Sequence, residues 1–134
     1  MPRPTAAAAA ATEAAAAEAA AKAQVRDARL TYDDAITAHG NAQKETIAAC
    51  TALRQAIENK MPAPAVDEAR ERYAAAGTAS HTADEEMIKA QHAFNEAVQK
   101  MMNAHQDATR CRDEAFYAAT AAAANKKRKT SNRN

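Results

Sequence analysis

Small and apolar side chains recur along this chain at alternating intervals of three and four residues. Alanine takes every seventh place in one series, Ala7, Ala14, Ala21, Ala28, Ala35, Ala42, Ala49 and Ala56. A second series reads Ala69, Ala76, Ala83, Ala90, Ala97, Ala104, Cys111 and Ala118. Four residues after these alanines come mostly larger side chains: Val25, Tyr32, His39, Thr46 and Leu53 in the first half. Val66, Tyr73, Ser80, Met87, Phe94 and Met101 take the same offset in the second. A 3-4 alternation keeps one stripe of an α-helix turned towards a neighbour. Each half of the chain is therefore predicted to be one long helix with a seam of alternating small and large residues.

Pro62-Ala63-Pro64 divides the halves, since a proline lacks a backbone N–H and restricts the residue before it. If the chain folds back there, position i faces position 125 minus i, and alanine meets alanine at 56/69, 49/76 and 28/97. The larger residues also pair, at positions summing to 126: Leu53 with Tyr73, Thr46 with Ser80, His39 with Met87, Tyr32 with Phe94, and Val25 with Met101. Both sets give one register. The second set is the stronger, because 42 alanines in 134 residues produce isolated matches easily. The expected fold class is all-α, a long antiparallel two-helix hairpin with arm one over about 5–60, a turn at 61–65 and arm two over about 66–124. At about 1.5 Å per residue such arms make one elongated domain about 80 Å long.

Two glycines, four prolines and no tryptophan agree with a helical chain, and alanine is the best helix former. Pro2 and Pro4 precede the first arm, and Thr5 is placed to cap it. Asp67, Glu68 and Glu71 are expected in the first turn of the second helix, where its dipole favours negative charge. Gly40 and Gly77 interrupt the arms at different levels, so each reads either as a local bend or as an ordinary surface glycine. The alternation of small and large residues resembles the alanine-rich antiparallel coiled coils called Alacoils. That resemblance implies close-packed backbones and nothing about function.

A methyl seam contributes little burial, at about 25 cal/mol per Å², so further packing is expected, into a larger helical bundle or assembly. Ile36, Cys50, Ile57 and Val98 follow seam alanines, while Ile88, Met102 and Phe116 follow the alternate seam positions. In an antiparallel pair these offsets project to one broad face. They form either a docking face for another helix, from a second copy or a different protein, or a widened internal seam.

Charge is unevenly distributed. The net charge is +1, yet Lys126, Lys127, Arg128, Lys129 and Arg133 place +5 in the last nine residues, leaving −4 on residues 1–125. This tail, 126–134, holds no apolar residue and reads as a solvated extension. It is either a solubilising terminus or a contact for nucleic acid, an acidic protein surface, an anionic membrane surface or a nuclear import receptor. No aromatic residue is interleaved to stack bases.

Chemistry-bearing constellations are sparse. His81, Asp84 and Glu85, with Glu45 near their level, are too few and too oxygen-rich for a convincing metal centre. The acidic run Asp84-Glu85-Glu86 frames no cleft, and no phosphate loop or nucleophile motif is present. No catalysis, metal or cofactor is expected. The expected levels of Cys50 and Cys111 lie on the order of 50 Å apart, which bars an internal disulfide and suggests a reducing compartment. Glu13 and Glu18 within the alanine-rich start argue against an export signal or membrane span.

These readings point to a non-catalytic structural or assembly protein, such as a virus-particle component or scaffold, packing against itself or other helical proteins. The alternatives are a soluble adaptor or chaperone, similar in general plan to the helical-hairpin stalks of bacterial export machines, and a nonspecific nucleic-acid-binding protein. The expected location is cytoplasmic or inside a virus particle, or nuclear if the tail is an import signal.

Overall fold

The computed structural model describes residues 5–131, which form two helices packed against each other: α1 from Ala6 to Glu58 and α2 from Ala63 to Ser131. There is no strand among the described residues. Thr5 caps α1, its Oγ1 accepting from the Ala8 N–H at 3.1 Å. Pro2 and Pro4 lie outside the described residues.

The reversal is tighter than the expected turn. Lys60 takes a left-handed backbone (φ 52°), its N–H donating to the Ile57 carbonyl at 3.1 Å and the Met61 N–H to that of Ala56 at 3.0 Å. Those two bonds form a Schellman cap, in which glycine usually holds the left-handed position. The Pro62 carbonyl then accepts from the Ala65 and Val66 N–H groups at 3.0 and 3.2 Å, so α2 begins at once. Pro64, read from the sequence as a second breaker, lies inside the first turn of α2, where its missing N–H costs nothing. Because α2 starts at Ala63, its first turn holds no acid: Asp67, Glu68 and Glu71 fall beyond it, where the dipole acts weakly.

Packing divides the chain into two compact units, Asp27–Asn95 and Met1–Arg26 with Glu96–Asn134, the latter described over residues 5–26 and 96–131. In the first, Ala49, Ala76 and Ala90 are buried, and the Tyr32 and Phe94 rings stack at 6.1 Å with 11° between planes, as their register predicts. Thr46, expected at the level of Ser80, also reaches the backbone of α2. Its hydroxyl has the Ala42 carbonyl at 2.9 Å and the Ala76 carbonyl of α2 at 3.2 Å. A short side chain reaches a neighbouring backbone only where two helices approach closely, as the methyl layer at Ala49 and Ala76 allows. Tyr73 stays 41% exposed, its phenol hydroxyl favouring water.

In the second unit the buried residues are Ala21, Ala97 and Ala108. Ala118, expected in the seam, is exposed, because by the same register it lies level with the first residues of α1 and has little helix to pack on. Arm two, expected to end near 124, continues as helix to Ser131, since alanine, lysine and arginine favour helix and Arg128 and Lys129 suit its C-terminal dipole.

Gly40 and Gly77 lie within continuous helix, and a Cβ at either meets nothing within 4 Å. Lys60→Gly should raise stability by about 1 kcal/mol by removing left-handed strain. Gly40→Ala should add a similar amount, about 1 kcal/mol, through helix propensity. Thermal unfolding followed by circular dichroism checks both, and a lowered midpoint for Lys60→Gly would refute the cap.

Candidate interaction surfaces

Among the described residues the six buried side chains are all alanine, and no large side chain is fully buried. Several large apolar groups are exposed, while those of the seam such as Tyr32, Leu53 and Phe94 are half-buried. In the unit Asp27–Asn95, Ile36, Ile57 and Ile88 are exposed and Cys50 is partly buried. In the other unit Met102 and Phe116 are exposed and Val98 is partly buried. Five of the seven residues are thus open to solvent, three in the first unit and two in the second.

The sequence reading missed Ile47, which is 67% exposed. It follows Thr46, an alternate seam position, at the same offset that picked out Ile88, Met102 and Phe116 in the second arm. Extending that rule to the first arm would have found it. Tyr117, 70% exposed, packs edge-on to Phe116 with ring centroids 5.9 Å apart.

Polar groups of the unit Asp27–Asn95 pair across its two helices. Arg72 Nε donates to Glu45 Oε1 at 2.9 Å, and the carboxylate holds the guanidinium pKa above its ordinary value. His39 Nε2 lies 3.2 Å from Asp84 Oδ1, so this seam histidine has a carboxylate partner beside the expected Met87 layer. His81 pairs with Glu85 one turn on, at 3.0 Å. The weak metal-ligand grouping is thereby dispersed: Asp84 goes to His39, Glu85 to His81 and Glu45 to Arg72. No cluster of three metal-ligating side chains occurs among the described residues.

In the other unit Glu18 takes a seam position. Its Oε1 accepts from His105 Nδ1 and Lys22 Nζ, each at 3.1 Å. These bonds, His105 first, hold the Glu18 carboxyl below its ordinary value. This unit also has an open groove of about 520 Å³, floored by Ala14, Ala104 and Cys111 and edged by Glu13, Lys100 and Arg110. Both cysteines are free thiols.

The basic residues Lys126, Lys127, Arg128 and Lys129 are exposed on the last turns of α2. Successive residues turn by about 100° on a helix, so these cations surround it rather than lining one side, and Lys126 and Lys129 come nearest to sharing a face. Arg133 lies outside the described residues. No helix is long and apolar enough to cross a membrane among the described residues.

No known protein family, curated protein or solved structure matches the chain. The surfaces themselves must carry the functional reading.

The Glu18 bonds give a pH signature. A carboxyl whose folded pKa is depressed adds stability above its ordinary value of 4.5 and loses it as the pH falls through the lower folded value. Glu18→Gln should therefore lower neutral-pH stability slightly, since pairs with largely exposed partners contribute little, and should flatten the decline below that value by the same small amount. Melting temperatures of both proteins across the acid range test this, and parallel curves would exclude the bond as a contributor.

Proposed function

We propose that this protein is a non-catalytic structural or assembly component, an Alacoil-type helical hairpin that packs against copies of itself or other helices within a larger assembly. A virus particle or scaffold fits this reading. The observation that carries it is the inversion of the usual arrangement: buried positions hold only alanine, while Ile36, Ile57, Ile88, Met102 and Phe116 remain in water. Burying a methyl contributes roughly a third to a half of what burying an isoleucine contributes. Each hairpin consequently keeps its most valuable apolar surface for association.

The basic end of α2 supplies a second contact, with nucleic acid or an acidic neighbouring surface. Its helical spread of charge suits attraction to a polyanion without base reading, because no aromatic side chain accompanies Lys126 to Lys129. Free thiols at Cys50 and Cys111 accord with a reducing compartment such as the cytoplasm or a particle assembled there. An adaptor or chaperone for an export machine is the competing use of such a hairpin, distinguished by capture of one unrelated protein without self-association.

Sedimentation velocity over micromolar to submillimolar concentrations tests the reading. Oligomers that grow with concentration and are weakened by Ile88→Asp support it, and a well-folded monomer throughout refutes it. For the basic end, retention on double-stranded DNA should fall with salt at a log–log slope of about −4 or shallower. Deleting residues 126–134 should abolish that retention, and undiminished binding would exclude the tail as the contact.

A further inference from the structure

The exposed isoleucines of α1 have a symmetry of their own. Ile36, Ile47 and Ile57 are 43%, 67% and 52% exposed, and Ile47 stands 11 residues from one and 10 from the other. On a helix those steps keep all three within an arc of about 80°. Ile88 of α2, 46% exposed, lies by the hairpin register at the level of Ile36 on the same broad face. A half-turn about Ile47 thus exchanges Ile36 with Ile57 to within one residue and brings Ile88 to the level of Ile57.

Part of the charge pattern follows the same operation, with Glu58, Asp67 and Glu68 also near the reversal and Arg29 near the other end. Arg54, Lys60 and Arg70 stand towards the reversal, and Asp33 and Asp84 towards the other end of this unit. Asp33, Arg54, Lys60 and Arg70 have no ion-pair partner among the described residues, whereas Asp84 carries only the His39 contact and is 52% exposed. A half-turn about Ile47 brings Arg54 and Arg70 to the level of Asp84, and Lys60 to the level of Asp33. Gly77, beside Ile47 in the register, leaves open space where a Cβ would stand.

From this we infer that a second copy of the chain docks antiparallel on the unit Asp27–Asn95, with the two-fold axis passing through Ile47; the inference rests on the assembly reading above. Ile57 of each copy seats against Ile36 and Ile88 of the other, Ile47 meets its own equivalent, and opposite charges flank the apolar centre twice. An isologous interface needs such self-complementarity. The strip from Ile36 to Ile57 is about 30 Å long and two helices, about 20 Å, wide. It covers about 600 Å² per copy, the lower end of stable interfaces. Association should consequently be reversible.

The test uses the full chain carrying Cys50→Ser and Cys111→Ser, with Ile47→Cys in one protein and Leu30→Cys in another. Leu30 is 64% exposed on a different side of α1 and serves as the control. Under mild oxidation Ile47→Cys should form a disulfide-linked dimer at least tenfold faster than Leu30→Cys, with helical content unchanged. Arg54→Glu in the native chain should raise the dimer dissociation constant about tenfold through two like-charge contacts. If the chain sediments as a dimer but Ile47→Cys crosslinks no faster than the control, the axis is elsewhere and this inference fails while the assembly reading survives. If the chain stays monomeric and neither protein crosslinks, both fail together.

Discussion

Close approach of two helix backbones is the constraint on which the rest of this structure depends. It is visible where the Thr46 hydroxyl of α1 reaches the Ala76 carbonyl of α2, in the layer beside buried Ala49. Larger side chains at Ala49 and Ala76 would force the helices apart and put that carbonyl beyond a hydroxyl's reach. The methyl seam therefore sets which other groups can meet: the Tyr32 and Phe94 rings stack across it, and Arg72 finds Glu45 beside it. Glu18 occupies a seam position in the other unit and is tolerated there because His105 and Lys22 both bond its carboxylate.

The same constraint limits stability. A seam of methyls gives dense contact but little apolar area, and long helices gain most of their stability from packing an apolar face. Here the larger seam side chains are only half-buried, and Ile36, Ile57, Ile88, Met102 and Phe116 lie outside the seam. Hydrogen-bonded pairs such as Arg72–Glu45 and His39–Asp84 contribute register more than energy, because exposed pairs are screened by water and salt. A protein built this way gains by association. That is the physical basis for reading it as a component of something larger.

The basic end follows a related logic. Once α2 passes the level at which α1 begins, helix propensity with dipole-compatible charge carries it to Ser131. Helical geometry then distributes Lys126 to Lys129 around the axis, which suits contact with an extended polyanion better than with a small flat patch.

Helix type, the reversal near Pro62, the register and most of the seam were legible in the residues, because a 3-4 repeat states the same local rule many times over and single exceptions do not erase it. Ile36, Ile57, Ile88, Met102 and Phe116, one residue past seam positions, are exposed. Polar partners were not legible in this way. That Thr46 bonds the Ala76 carbonyl and Asp84 pairs with His39 depends on the phase between two helices and the reach of each side chain. The left-handed Lys60, the early start of α2 that moved Asp67 out of the first turn, and the division into two units were likewise decided only in three dimensions. Periodicity is a property of one helix read along itself, whereas pairing is a property of two surfaces, and only the folded chain brings them into contact.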